Sequence, residues 1–290
     1  MITNKYGLHP VLYEAIQMHQ REYAETHTQK SNISVTELIS PPRMVALKNE
    51  YKDELTEDAN DLIYAFLGSA LHSYLEAAGK SSAMRDEVIA EKRLYAESMG
   101  WTISGMFDLL DADNFLYDYK LCSVWEHTGE TKKEWIEQLN VLRWLCEENG
   151  YEINGLRIMA FYRDFSRNRA KSANYPDDQV EIHEIPMWSL EEAAEFVSER
   201  VFKHQKAQTI ELPECTPEER WARPDQWALM MKNRKSAFKL HNSEEAAHEH
   251  KENLEATGKK NLYIQERPGD SVRCGYCRAY EVCEQRKRYE

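Results

Sequence analysis

The chain has 290 residues, of which 42% are hydrophobic and 30% are charged, so it can bury a sizeable core as a globular protein. No apolar run approaches the roughly 20 residues that span a bilayer, so we expect no membrane role. The formal net charge of -13 at pH 7 argues against a broad nucleic-acid coat, although a local basic surface could still contact phosphates.

The first strongly periodic segment is a helix predicted from Asn60 to Ala78, because its apolar residues form one stripe at helical spacing. His72 lies at the edge of that stripe, and Gly68, one turn earlier, would let something approach the imidazole closely. The histidine is either a satisfied core residue or a metal ligand. Its position before a pair of carboxylates favours the metal ligand.

Two adjoining strands follow, with a turn over residues 111–114. Side chains alternate along a strand, so Leu116, Asp118 and Lys120 share one face of the second strand. If the turn makes a hairpin, Asp108 on the first strand lies beside Asp118, and the two carboxylates can hold a divalent ion. Lys120 would then orient an attacking water, as in a metal-dependent nuclease. An ordinary hairpin with an Asp–Lys salt bridge is the alternative.

A second helix is predicted to start at a capping box over residues 131–134 and to stop at Asn149-Gly150. Gln138, on the inner side of this helix, could hydrogen-bond a catalytic water or a phosphate oxygen, although a surface glutamine is the default expectation. A further strand is predicted over residues 156–163, and Ser189 is the predicted N-cap of a later helix.

The order of these segments resembles the PD-(D/E)XK nuclease superfamily, specifically its RecB-like exonuclease branch. The matching motifs lie between about residues 60 and 163 and are Gly68-Ser69-Ala70-Leu71-His72, Glu91 in Ala90-Glu91-Lys92-Arg93-Leu94, Gly105 to Asp108, Asp118-Tyr119-Lys120, and Gln138-Leu139-Asn140. Their order and spacing make the match more specific than any one motif.

The resemblance implies a role for each matching residue. The implied ligands of Mg²⁺ or Mn²⁺ are His72, Asp108, Asp118 and the Tyr119 backbone carbonyl. Lys120 would position or activate the water, and Gln138 would assist nearby. Glu91 is a further catalytic candidate, and its alternative is a surface carboxylate that pairs with Lys92 or Arg93. The chain departs from the branch at Leu142, where a tyrosine is common.

Three cysteines near the end of the chain, Cys274, Cys277 and Cys283, have C-x-x-C-x5-C spacing. No secretory signal opens the chain, so we expect a reducing compartment, where a shared metal is favoured over disulfides. Thiolates suit a zinc ion or an iron–sulfur cluster, and both normally need four ligands. Unligated cysteines remain the third alternative.

RecB-like nucleases that carry an iron–sulfur cluster show this triplet together with a cysteine in an upstream Cys-Pro-Arg segment. Here Pro41 stands where that cysteine would be, so the fourth ligand must come from elsewhere. Cys215, in a proline-rich stretch, is the best replacement, whereas Cys122 and Cys146 are expected to be structural. The resemblance therefore implies a 4Fe-4S cluster at Cys215 and the triplet, with Zn²⁺ as the alternative. Some phage-encoded exonucleases of this branch have a similar tail.

A basic cluster precedes the cysteines and consists of Lys232, Arg234, Lys235 and Lys239. These side chains could bind DNA phosphates, or they could form the polar face of a short helix.

We therefore predict an α/β fold with a restriction-endonuclease-like core, in which helices flank a mixed central β-sheet, and a C-terminal cysteine-cluster unit. The predicted domains are an N-terminal helical segment over residues 1–59, the nuclease core over residues 60–206, and a basic and cysteine-cluster region over residues 207–290.

The function that the resemblance implies is a metal-dependent DNA exonuclease in recombination, repair or phage genome processing. We expect a cytoplasmic location in a bacterial or phage-infected cell, DNA as the main partner, and a recombination partner such as a single-strand annealing protein. Two alternatives remain, a CRISPR-adaptation-type nuclease that trims DNA, and a non-catalytic DNA-binding assembly subunit with a structural metal cluster.

Overall fold

A computed structural model describes residues 2–26, 30–81, 83–84, 87–209 and 212–288. Contacts divide the chain into two compact units, the first comprising Met1–Ala46 and Asp53–Leu212, and the second Leu47–Lys52 and Pro213–Glu290. Among the described residues, every helix is too short or too polar to cross a bilayer.

The strands and helices before residue 212 are given in chain order. The strands are β1 (Ile2–Thr3), β2 (Ile33–Ser34), β3 (Glu57–Asp58), β4 (Val88–Ser98), β5 (Trp101–Asp111), β6 (Phe115–Cys122), β7 (Gly155–Tyr162) and β8 (Val180–Ile185). The helices are α1 (Pro10–Thr26), α2 (Val35–Leu38), α3 (Pro42–Glu50), α4 (Ile63–Gly79), α5 (Lys133–Glu148) and α6 (Leu190–Thr209).

The central sheet is mixed and is organised around β5. One edge of β5 pairs with antiparallel β4, and the other edge pairs with parallel β2 near its start and with antiparallel β6 near its end. Strand β7 then runs parallel to β6, and β8 runs antiparallel to β7. Helix α5 joins β6 to β7, which is the crossover that a parallel pair requires.

Helices lie on both faces of this sheet. Gln138 of α5 contacts Asp118 and Lys120 of β6, whereas His72 of α4 stacks against the intervening Tyr119. Because successive side chains of a strand point to opposite faces, α4 and α5 cover opposite faces. The predicted α/β class with a mixed sheet flanked by helices is therefore confirmed.

The main hydrophobic core lies on the α5 face, where β5, β6 and β7 pack against α5 and α6. Gly105 makes this packing possible, because a Cβ there would lie 2.7 Å from side-chain carbons of Val35, Leu142 and Leu145. Leu142, at the position where a tyrosine was the family expectation, is buried in this core.

Two local predictions need correction. The helix predicted from Asn60 opens as a 3-10 turn over Ala59–Leu62, capped by the Asp58 carboxylate, before α4 begins. The capping box predicted at residues 131–134 is not formed, since the N-cap of α5 is Lys132 and its side chain makes no capping hydrogen bond. The Ser189 cap is confirmed, because its hydroxyl accepts a hydrogen bond from the Glu192 N–H.

The second unit contains an antiparallel sheet of β9 (Gln226–Met231), β10 (Lys239–His241) and β11 (Leu262–Arg267), with β9 in the middle. Helix α7 (Glu244–Ala256) packs on all three strands. The basic cluster lies on the turn from β9 to β10 and on the first residue of β10, so its interpretation as one face of a helix is wrong.

We expect Gly105→Ala to lower the free energy of unfolding by about 1–3 kcal/mol, because a methyl group there overpacks the contact with α5. Chemical denaturation measures the change. Gly129→Ala is the matched control, since its Cβ would meet only the Trp125 carbonyl oxygen at 3.7 Å. Equal stability of the two variants would contradict the close approach.

Candidate active site

The predicted hairpin of β5 and β6 is present and brings the two aspartates together. Leu109 pairs with Tyr117 and Leu110 with Leu116, so the continued register places Asp108 opposite Asp118. Both carboxylates are buried. Burial of carboxylates is costly unless hydrogen bonds or counter-charges compensate them, so their partners define the chemistry of the site.

The β4–β5 ladder is distorted at this same point. Ala90 pairs with Leu109 and Lys92 with Phe107, whereas Glu91 and Asp108 between them form no ladder pair. Glu91 has a φ of 48°, a left-handed conformation that costs a non-glycine residue about 1–3 kcal/mol. The surrounding strand must therefore hold Glu91 in an unfavourable conformation.

The distortion reverses the alternation of both strands. Phe107 and Leu110 both lie in the main core although they are three residues apart. On β4, Leu94 lies in that core, but Ala90, which regular alternation would place beside it, faces Gly79 of α4. As a result, Glu91 and Asp108 can both reach the α4 face of the sheet.

His72 of α4 is the group that they reach. Its Nδ1 lies 3.4 Å from Glu91 Oε1 and 3.4 Å from Asp108 Oδ1, and its Nε2 lies 3.3 Å from the Tyr119 carbonyl oxygen. Ligand atoms of His72, Glu91 and Asp108 all lie within 4.8 Å of one another, as the ligands of one metal ion must. The second oxygen of Asp108 accepts a hydrogen bond of 2.6 Å from the Tyr119 N–H, which fixes that carboxylate.

Asp118, Lys120 and Gln138 form a second group that is connected in a ring. Lys120 Nζ lies 2.6 Å from Asp118 Oδ2 and donates to Gln138 Oε1 at 3.0 Å, while Gln138 Nε2 donates to Asp118 Oδ1 at 2.8 Å. An ammonium can only donate and a carboxylate can only accept, so the two partners determine the orientation of the amide. Gln138 thereby fixes both side chains.

The pKa values reflect the crowding of charge. Burial disfavours the His72 imidazolium, but hydrogen bonds to Asp108 and Glu91 outweigh it and raise the pKa of His72 to about 10. Burial raises the pKa of Asp118, and the adjacent Asp108 charge adds to the rise, while Lys120 opposes it. Burial also raises the pKa of Tyr119. When His72 is neutral, as a metal ligand must be, the three carboxylates and the Lys120 ammonium leave two uncompensated negative charges, which match one divalent cation.

The donor set fits Mg²⁺ or Mn²⁺. Carboxylate and carbonyl oxygens suit these ions, and a neutral imidazole nitrogen is a common additional ligand. His72, Asp108, Asp118 and the Tyr119 carbonyl were the predicted ligands. The structure places His72 and Asp108 around one point together with Glu91, with the Tyr119 carbonyl at the other ring nitrogen of His72, and it engages Asp118 with Lys120 and Gln138.

Sequence reasoning left the role of Glu91 open between a site residue and a surface carboxylate. In the structure, the Glu91 side chain is only 5% exposed and contacts His72. Its neighbours in the sequence gave no signal for this placement, because the left-handed conformation that produces it depends on the pairing with β5.

The cysteines of the second unit are arranged by backbone contacts. Gln285, a buried side chain two residues after Cys283, accepts from the Cys215 N–H at 2.8 Å and donates to the Cys215 carbonyl at 2.8 Å. The Cys277 N–H donates to the Cys274 carbonyl. Cys215 is therefore held beside the segment that carries the triplet.

The thiols of the triplet are partly buried and influence one another's pKa. Burial raises the pKa of Cys274, and the Cys283 charge adds to that rise, while Arg220 and Arg286 oppose it. Burial also raises the pKa of Cys277, with Cys283 adding again. Cys122 and Cys146 are buried in the hydrophobic core of the first unit.

The basic cluster lies in the second unit beside an aromatic ring. The Arg234 guanidinium lies 4.4 Å from the centre of the Phe238 ring, and the Lys259 ammonium lies 4.5 Å from it. Lys232 and Lys235 lie on the same turn, and Lys239 begins β10. Their role in DNA binding stays a prediction.

No family model and no curated protein matches the chain. Among solved structures, the protein SSO0001 is similar with 19% identity and a TM-score of 0.45, over 66% of this chain and 83% of that one. The alkaline exonuclease LHK-Exo from Laribacter hongkongensis has 14% identity and a TM-score of 0.39, over 60% and 88%. A phage-related exonuclease from Haemophilus somnus 129PT has 12% identity and a TM-score of 0.30, over 70% and 82%.

We expect Glu91→Gln to weaken Mn²⁺ binding by about tenfold or more, because it removes a full negative charge from the ligand cluster. Calorimetric titration of the metal-free protein measures this change. Glu97→Gln, on the exposed part of the same strand, is the control and should bind as the wild type does. Equal affinity of the two variants would exclude Glu91 from the metal site.

Proposed function

We propose that the first unit is a metal-dependent deoxyribonuclease that hydrolyses phosphodiester bonds, acting as an exonuclease at DNA ends. The observation that carries this proposal is the cluster of His72, Glu91 and Asp108 directly beside the ring of Asp118, Lys120 and Gln138. A cation site adjacent to a fixed ammonium is an arrangement that suits phosphoryl hydrolysis, because both groups stabilise negative charge on the phosphate.

A bound Mg²⁺ or Mn²⁺ would polarise the scissile phosphate and lower the pKa of a water molecule. His72, Glu91 and Asp108 would hold the ion, and Asp118 and the Tyr119 carbonyl are the further proposed oxygen ligands. The Lys120 side chain is 26% exposed, so it can reach an incoming phosphate. It orients the attacking water and stabilises the negative charge that develops on the phosphate.

Gln138 is a positioning residue in this proposal. The Gln138 side-chain oxygen accepts a hydrogen bond from Lys120, and its amide nitrogen donates to Asp118. Lys120 therefore cannot turn away without losing its contacts with both Gln138 and Asp118. A side chain fixed before the substrate arrives needs no reorganisation during the reaction, which is the main source of electrostatic catalysis.

The preference for DNA ends, and a place in recombination, repair or phage genome processing, rest on the motif resemblance of residues 60–163. The same motifs suit a nuclease that trims DNA before CRISPR integration. A non-catalytic DNA-binding subunit would not need a fixed ammonium beside an acidic cluster, and this feature favours the enzyme.

For the second unit we propose a 4Fe-4S cluster bound by Cys215, Cys274, Cys277 and Cys283. Gln285, two residues after Cys283, holds the Cys215 backbone by two hydrogen bonds, so the fourth cysteine lies beside the segment that carries the triplet. Thiolates suit either an iron–sulfur cluster or zinc, and the motif resemblance favours the iron–sulfur cluster.

We expect Lys120→Ala to lower the rate of cleavage of end-labelled linear DNA by about 10²–10³-fold in Mg²⁺ or Mn²⁺, because it removes the charge that stabilises the transition state. Asp108→Asn should be comparably defective through lost metal binding. Lys80→Ala, an exposed lysine at the end of α4, should retain full activity. Circular DNA should survive digestion by the wild type.

The outcomes of this assay separate the candidate functions. Wild-type cleavage of circular DNA would contradict the requirement for ends. Absence of cleavage with either metal, or equal cleavage by Lys120→Ala, would contradict the enzyme and favour the DNA-binding subunit.

We expect anaerobically purified wild-type protein to contain about four iron and four sulfide ions per chain, as a 4Fe-4S cluster requires. Cys215→Ala should lose them, because it removes one of four ligands, and Cys122→Ala should keep them. Metal and sulfide analysis measures the content. Stoichiometric zinc without sulfide, or iron retained by Cys215→Ala, would contradict the assignment.

A further inference from the structure

One face of α4 continues from the proposed metal site towards solvent. Tyr64, Gly68 and His72 are spaced four residues apart, so they lie above one another on the same side of the helix. Tyr64 is two turns, or about 12 Å, from His72 along the helix axis. The face therefore begins at the cation ligand and ends at an aromatic ring.

The Tyr64 ring is exposed, and an arginine side chain stacks on it. Tyr64 has 60% of its surface exposed, although the Arg163 guanidinium lies 4.5 Å from the centre of its ring. An arginine that stacks on an aromatic face keeps the N–H groups at the edge of its planar head, and these groups match the oxygens of a phosphate.

The backbone of Arg163 is anchored on the sheet, and its side chain extends to Tyr64. Its N–H donates to the carbonyl of Cys122, two residues after Lys120, which places it just beyond the catalytic strand. The adjacent Asp164 is occupied, since its carboxylate accepts from the Ser123 hydroxyl and the Val124 N–H. The charge of Asp164 still interacts with that of Arg163, but the hydrogen-bonding capacity of its carboxylate is engaged by Ser123 and Val124.

Gly68 lies between the aromatic ring and the cation ligand, and the fold itself does not need it. A Cβ on Gly68 would meet no atom of the described residues within 4 Å. Glycine inside a helix is destabilising relative to alanine. The helix therefore carries a weakening residue at a position where the protein leaves open space beside the metal site.

We propose that Tyr64, Gly68 and Arg163 form a subsite for an unpaired DNA strand next to the metal site, with a base stacked on Tyr64, the strand backbone passing over Gly68 and a phosphate bound by Arg163. Stacking on an exposed aromatic ring requires an unpaired base, so the strand enters single-stranded. This inference deepens the proposed nuclease function and rests on it.

The test compares two substrates. Thymidine 5′-(p-nitrophenyl phosphate) reaches the metal site alone, whereas a single-stranded oligothymidylate also reaches the subsite. We expect Tyr64→Ala and Arg163→Ala to lower kcat/KM for the oligonucleotide by about fivefold or more, which is the effect of losing one stacked base. Both variants should cleave the small diester within about twofold of the wild-type rate.

Gly68→Ala distinguishes a loss of strand binding from a loss of stability. This variant should unfold at a higher temperature than the wild type, because alanine favours the helix, yet cleave the oligonucleotide more slowly. Tyr74→Ala is the matched control, since Tyr74 is 81% exposed on another side of α4, and it should cleave both substrates normally.

Binding of the oligonucleotide without added divalent metal tests the subsite independently of catalysis. Arg163→Ala should reduce the slope of log affinity against log salt concentration by about 0.7, the value for one lost phosphate contact on a single strand. Equal loss on both substrates, no loss on either, or an unchanged salt slope would overturn the subsite. A wild type that cleaves neither substrate while these variants still weaken binding would overturn the nuclease proposal and retain the subsite.

Discussion

The crowding of three carboxylates at one point of the sheet is the constraint on which the rest of the site depends. Glu91, Asp108 and Asp118 lie on neighbouring strands, and like charges at such short range repel strongly in a partly buried environment. Without a metal ion, Lys120 and a protonated His72 provide the compensation. A divalent cation would compensate the carboxylate charges more fully. His72 must lose its proton to act as a ligand of that cation.

The distortion of β4 and β5 is the structural means by which Glu91 and Asp108 reach His72. In a regular ladder, Glu91, Asp108 and Asp118 would lie directly opposite one another and would share the α5 face with Leu116. The left-handed conformation of Glu91 breaks the regular alternation, so Glu91 and Asp108 meet His72 on the α4 face. Gln138 meanwhile holds Asp118 and Lys120 from the α5 face. The site is therefore assembled through the sheet, from both of its faces.

Sequence patterns predicted the parts that depend on local periodicity. The hairpin that places Asp108 opposite Asp118, the helix that carries His72, and the helix that carries Gln138 are all present. The backbone conformation of Glu91 could not be predicted, because it depends on pairing with another strand. The ring around Lys120 depends on how α5 packs, which Gly105 determines by a close approach that no periodicity shows.

The most direct test of the account is anomalous diffraction from a crystal of this protein soaked in Mn²⁺. The account predicts one strong anomalous peak within bonding distance of His72, Glu91 and Asp108, close enough to the Tyr119 carbonyl and Asp118 to show whether they complete the ligand set. A crystal that diffracts well and shows no manganese at these residues, or shows it only elsewhere, would contradict the central claim.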